Sequence, residues 1–317
     1  MCPFCFYFCM QIMLKTDMEN KKSLVGAWVE AARPRTLPAS VSPVLLGCAL
    51  AYYDGVFDVV PAVLCLLVAL FAQIASNFAN DYFDFKKGAD REDRLGPERA
   101  VAEGWITPKA MLTGTFVTLG LACAAGLLLL CFADWRLIGV GIAIAICVLA
   151  YSAGPFPLAY NGLGDVCVLL FYGIIPVCFT YYIQTLNFSL LSFLLSVALG
   201  LLSVNILIVN NYRDYEQDKA ARKRTTIVLF GRRAGRVFYV LNECMAFLLV
   251  LPLILDAPWW ILFLFGILFA LCFYTTRELF TLEGRALNRT LGHTARNVFL
   301  FASVLSLLFL YIGGVSN

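Results

Sequence analysis

The chain has 317 residues, 61% hydrophobic and 14% charged, with a formal net charge of +3 and a mean hydropathy of +0.81. A soluble domain carries about a quarter charged residues, so composition excludes a water-soluble globular protein. The lipid bilayer surrounds most of this chain, no nucleic-acid partner is expected, and the polar connections are too short to fold as separate domains.

The chain opens on MCPFCFYFCMQIML, with Cys2, Cys5 and Cys9. The Cys-Pro-Phe-Cys spacing resembles a redox pair, but no βαβ pattern follows it. No basic stretch or small-residue cleavage site marks a signal peptide either. Met18 begins MENKKSLVGAWVEAARPRT, which reads as an ordinary cytoplasmic start. Residues 1–17 are therefore expected to be a dispensable leader or over-extended start, and 18–317 a single transmembrane domain. The other nine cysteines lie in apolar runs, where Cys packs as a small hydrophobe.

Nine apolar segments follow, near 36–53, 59–83, 109–132, 136–152, 163–184, 188–212, 235–255, 258–275 and 295–314, each read as a membrane-spanning helix. With the N-terminus in the cytoplasm, every Lys and Arg except Arg136 falls on the cytoplasmic side, as positive-inside topology requires. The expected fold is all-α: a polytopic protein of the cell inner (cytoplasmic) membrane, nine helices in one bundle, C-terminus outside, with an active-site cavity facing the cytoplasm.

Two apolar runs end on similar polar phrases, Asn80-Asp81-Tyr82-Phe83-Asp84 and Asn210-Asn211-Tyr212-Arg213-Asp214. Asn80 and Asp84 stand four apart, as do Asn210, Asp214 and Asp218, so each set shares a helix face. Acids at the C-terminal end of a membrane helix oppose its dipole and are costly to desolvate. Two facing carboxylate clusters most simply hold divalent metal, and magnesium held so usually serves a phosphate-bearing substrate. A basic stretch follows each cluster, including Arg99 after the first and Lys223 and Arg224 after the second, suited to phosphate oxygens. Asp81 lies about 100° round the helix from Asn80 and is a weaker ligand candidate. Lys86, Lys87, Arg232 and Arg236 read as solvated loop charges. His293 has no acidic neighbour in sequence and reads as a helix-end residue.

Four stretches in order, WVEAARPRTLPASVSPVLLG (28–47), NFANDYFDFKKGADREDRLGPERAV (77–101), YSAGPFPLAYNGLGD (151–165) and NNYRDYEQDKAARKRT (210–225), resemble the UbiA superfamily of membrane aromatic prenyltransferases. The third acid at Asp90, with Gly88 where ubiquinone-type relatives carry it, favours the 1,4-dihydroxy-2-naphthoate polyprenyltransferase branch of menaquinone biosynthesis. Ala221 departs from the usual glycine. The resemblance implies that Asn80, Asp84 and Asp90 help hold one Mg²⁺ and Asp214 with Asp218 a second. It implies that Arg99, Lys223 and Arg224 bind a polyprenyl diphosphate, and that Tyr151 and Asp165 lie near the reacting centre. Asn211 and Arg33 are further matches. The implied reaction transfers the prenyl group to 1,4-dihydroxy-2-naphthoate with loss of CO₂ and diphosphate, giving a demethylmenaquinol. The alternatives are a related enzyme using another acceptor such as 4-hydroxybenzoate, a secondary transporter, and a non-catalytic quinone-binding protein, which would need no paired acidic clusters.

Overall fold

A short polar side chain starts four of the long helices by accepting a backbone N–H that the first turn leaves unpaired. Asp58 accepts from Val60 at 2.8 Å, Thr107 from Ala110 at 3.3 Å, Ser189 from Ser192 at 3.0 Å and Thr225 from Val228 at 3.3 Å. In the computed structural model, which describes residues 23–88 and 94–316, these caps open four of eleven helices. The leader and Asp90 lie outside the described residues.

A short helix α1 (Leu24–Ala32) precedes α2 (Leu37–Tyr53), α3 (Val59–Lys86), α4 (Pro108–Leu128) and α5 (Leu137–Ala150). Then come α6 (Gly164–Thr185), α7 (Leu190–Arg213), the single turn-and-a-half α8 (Tyr215–Ala220), α9 (Thr226–Leu255), α10 (Trp259–Thr281) and α11 (Leu287–Ser316). Eight of these segments are long and apolar enough to cross a membrane. The ninth expected span is helical but runs only 14 residues, as α5; at 1.5 Å per residue that is about 21 Å, short of a bilayer core. Among the described residues there is no strand. The nine described cysteines are all free, six of them exposed or half-buried.

Several helices outrun their apolar runs. α9 begins at Thr226, well before the expected 235, and α11 at Leu287, before 295. In α9 the backbone breaks at Gly231 (φ 84°, ψ 162°), which sets residues 226–230 off as a separate turn ahead of the long run. Both added turns are held by packing: Ile227 and Leu287 are fully buried, in one cluster with Tyr212 and Tyr239. The main core joins α2, α6, α7, α9, α10 and α11 through Leu46, Val177, Leu199, Val250, Ile261 and Phe301. Helices α6 and α7 cross closely at Gly173 and Gly200, where a Cβ on Gly173 would lie 2.5 Å from the Gly200 Cα. Small residues at such crossings let backbones approach in lipid. A π-turn at Leu170–Ile174 interrupts α6 beside this crossing. By contrast, α5 buries no residue and packs on α3 and α4. The space thus enclosed by α2 to α7 holds the site.

Candidate active site

A cavity of about 580 Å³ runs from the polar ends of α3 and α7 down between α2, α4, α5 and α6. Asn80, Asp84, Arg99, Tyr151, Asp165, Asn211, Asp214, Asp218 and Lys223 all line it. The two acidic phrases therefore meet in space although more than a hundred residues separate them in sequence.

Asp84, near the C-terminal end of α3, is buried. Its Oδ2 lies 3.1 Å from Arg99 Nη2 and 3.6 Å from Lys223 Nζ, and its Oδ1 accepts the Tyr160 hydroxyl at 2.9 Å. Lys223 Nζ is also 3.9 Å from Asp218 Oδ1, so one ammonium bridges both phrases. Burial raises the Asp218 carboxyl to about 7; Lys223 opposes that shift while Asp214 and Asp84 add to it. Asp214 caps the end of α7 and takes both arms of Arg213, at 2.7 and 2.6 Å. That guanidinium also donates to Asn210 at 2.8 Å and to Asn288 of α11 at 2.6 Å. Asn288 in turn donates to the Leu95 carbonyl at 2.9 Å, and Gly96 sits against Arg213 so closely that a Cβ there would fall 2.8 Å from Nη2. Arg213, 2% exposed, thus ties the second phrase to the loop that carries Arg99.

The remaining expected residues divide. Asn80 Oδ1 accepts the Ser152 hydroxyl. Asp165 stands in the first turn of α6, and its Oδ1 is buried without a hydrogen-bond partner. A Cβ on neighbouring Gly164 would lie 3.6 Å from the Tyr151 hydroxyl, so that hydroxyl and Asp165 border the same space. Arg224 is exposed and outside the lining; its backbone N–H donates to the Tyr160 carbonyl at 2.9 Å. Asp81 faces away and accepts the N–H groups of Ala100 and Val101 at 3.0 and 3.3 Å, pinning the loop after α3. Asp90 is outside the described residues.

Several side chains the sequence did not single out, or read as bland, take part. Tyr160 carries Lys87 and Lys223 over its ring at 4.3 and 4.7 Å. Lys87, though exposed, is not a free loop charge: its ammonium donates to the Ser152 carbonyl at 2.6 Å, and partial desolvation lowers its pKa against the opposing pull of Asp84. Arg232 and Arg236 stack on Tyr212, Tyr215 and Phe280 rather than standing free. His293 does have an acidic partner, Glu278 at 2.8 Å, supplied by α10 across the turn before α11. That pair closes a helix connection and is absent from the cavity lining.

Among the described residues no three carboxylates already converge on a metal-sized point. Instead Arg99, Lys223 and Arg213 sit between them. The donors are nevertheless all hard oxygens, the carboxylates of Asp84, Asp214 and Asp218 with the amides of Asn80 and Asn211, a set that fits Mg²⁺ and not a soft transition metal. The acids already gather positive charge around one opening, which is what a metal–diphosphate complex would meet there.

Residues 40–291 match the UbiA prenyltransferase family. The chain is 37% identical over 235 residues to a 1,4-dihydroxy-2-naphthoate octaprenyltransferase of Haemophilus influenzae, covering 72% of this chain and 76% of the relative. It is 39% identical over 236 residues to the protein of that name from Mycobacterium tuberculosis, covering 73% and 79%. Its fold is similar to a UbiA homologue from Archaeoglobus fulgidus solved with DMAPP and Mg²⁺, with a TM-score of 0.59 at 18% identity over 89% of this chain and 97% of that one. From its helical architecture to the order of its two acidic phrases, this chain belongs to the UbiA prenyltransferase family.

Proposed function

We propose that this membrane enzyme transfers a polyprenyl group from its diphosphate to 1,4-dihydroxy-2-naphthoate, releasing CO₂ and diphosphate and leaving a demethylmenaquinol. The observation that carries the reading is the meeting of Asp84 and Asp218 on Lys223 at the mouth of a deep apolar cavity. Five curated relatives of that naphthoate activity, at 30–39% identity, support the choice of acceptor.

In this reading Asn80, Asp84 and Asp90 would hold one Mg²⁺ and Asp214 with Asp218 a second. Bound there, the ions would supply positive charge to the diphosphate oxygens as the allylic C–O bond breaks. Arg99, Lys223 and the exposed Arg224 bind the same oxygens, since guanidinium and ammonium donors stabilise leaving-group charge best where it is fixed in place. Asn211, buried on the same wall, orients them. The cavity below excludes water from the allylic cation, with Tyr151 presenting a ring face. The partnerless Oδ1 of Asp165 accepts a ring hydroxyl and raises the electron density of the acceptor. The ring carbon bearing the carboxylate attacks C1. The bond to the carboxyl then breaks, its electron pair restores aromaticity and CO₂ departs.

The orientation that places all these cations on one side is N-terminus in the cytoplasm and C-terminus outside, in the inner membrane. Complementation tests the reading in cells: the gene should restore a menaquinone-deficient strain and leave a ubiquinone-deficient one unrescued. Rescue of only the ubiquinone strain would keep prenyl transfer and overturn the acceptor.

A further inference from the structure

The polar face of α3 does not stop at the acidic phrase. Asn77 and Gln73 stand seven and eleven residues before Asp84, which puts each within about 20° of it round the helix. All three line the cavity. A metal–diphosphate site needs only the last turn of this helix, so a buried amide about 16 Å further into the membrane requires another reason.

Gln73 is 8% exposed, yet its contacts are weak where they could be strong. Its Nε2 reaches the Asn77 and Thr36 side chains only at 3.4 and 3.5 Å, beyond the usual range for an N–H donor. Asn77 is fully committed, donating to the Ala32 carbonyl at 2.9 Å at the end of α1. The Tyr172 hydroxyl donates to Gln73 Oε1. Tyr172 sits in the π-turn of α6, an irregularity frequent at functional sites. One turn along α2 from Thr36, Ser40 lines the cavity with a buried hydroxyl that has no hydrogen-bond partner. The opposite wall, from α4 and α5, is Leu119, Leu127, Ile138, Ile142, Ala145 and Val148. One side of the cavity is polar and the other is hydrocarbon.

We propose that Gln73 and Tyr172, with Ser40 beside them, bind the oxygen-bearing edge of the aromatic acceptor, while the prenyl chain lies along the α4–α5 wall. The chemistry fits: 1,4-dihydroxy-2-naphthoate carries both hydroxyls and its carboxylate on one ring. Its oxygen-bearing edge can meet Gln73, Tyr172 and the partnerless Ser40 hydroxyl, while the oxygen-free fused ring faces hydrocarbon. A site built to hydrogen-bond a substrate group rejects the analogue that lacks it. Gln73 and Tyr172 are thus specificity-determining residues. This rests on the prenyl-transfer reading above.

The test uses purified full-length protein with Gln73→Leu and Tyr172→Phe, both of which keep side-chain volume. The expected result is an acceptor KM raised about tenfold in each, the loss of one hydrogen bond with its partner orphaned. The prenyl diphosphate KM should stay within about twofold. The naphthoate Kd, read by tryptophan quenching without diphosphate, should weaken in parallel, and the preference for this acceptor over 1-hydroxy-2-naphthoate, which lacks the 4-hydroxyl, should shrink. Unchanged acceptor KM and Kd in both folded variants would overturn the proposal. So would a parallel rise in both substrates' KM with a fallen melting temperature, which is the signature of a packing role. A wild-type protein that ignores the naphthoate but prenylates another phenol, with that phenol's KM raised by the same variants, would overturn the acceptor and keep the subsite.

Discussion

Arg213 is the side chain whose removal should cost most. It is 1% exposed at the side chain against 15% for its carboxylate partner Asp214, so solvent screens this pair little. Arg213→Met leaves the half-buried Asp214 carboxylate uncompensated; a fully buried one would cost about 3–5 kcal/mol. Solvent reaching Asp214, 15% exposed, relieves some of that, and about 3 kcal/mol is the working figure. At about 2 °C per kcal/mol for a chain of this size, the melting midpoint in detergent should fall by about 6 °C. Arg213→Lys keeps the charge, but one ammonium cannot reproduce the fork that meets both Asp214 oxygens, Asn210 and Asn288 together; it should lose about half as much. Asn288→Leu removes the link from α11, and its effect should largely vanish in the Arg213→Met background, a coupling of about 1 kcal/mol. Scanning fluorimetry of the three variants and the double variant reads all of this. A wild-type midpoint for Arg213→Met, or strict additivity with Asn288→Leu, would refute the buried relay.

Chelation should abolish prenyl transfer and added Mg²⁺ restore it, while Asp84→Ala and Asp214→Ala should each be inactive but folded, since in the proposed site each deletes a ligand from a different ion; full turnover by either would remove the two-cluster arrangement. The Asp218 carboxyl, raised to about 7, makes a pH test. Between the ordinary carboxylate range and pH 7 the folded protein holds a proton there that the unfolded chain has released, so stability falls as pH rises through that window. In the proposed site metal must displace the same proton, so the apparent Mg²⁺ affinity should strengthen from pH 5 to about 7 and then level off; titrations at fixed diphosphate check it, and a flat profile below pH 7 would contradict it.

The spans and the acidic phrases were legible in the sequence because each is a local pattern: hydropathy over about 20 residues, or acids four apart on one face. What pairs with those acids was not. Tyr160 reaches Asp84 across 76 residues and Asn288 reaches Arg213 across 75, and nothing local marks either contact. Lys87 reads as a loop charge until the α5–α6 connection brings Ser152 and Tyr160 over it. The extra turns of α9, set off by the break at Gly231, and of α11 were invisible to hydropathy because one buried side chain, Ile227 or Leu287, anchors each polar turn. The stripe of Gln73, Asn77 and Asp84 did stand in the sequence at helical spacing. It passes unnoticed when the reading stops at the metal phrase, because an amide deep in an apolar run gains meaning only once a cavity faces it.

Carboxyl-labelled 1,4-dihydroxy-2-naphthoate, incubated with purified protein, a polyprenyl diphosphate and Mg²⁺, gives the most direct measurement. Attack at the carboxyl-bearing carbon predicts one labelled CO₂ released for each prenyl group transferred, with none released by Asp84→Ala or without the diphosphate. Prenylated product that retains the label, or a protein that leaves the naphthoate untouched while prenylating 4-hydroxybenzoate, would contradict the proposed reaction.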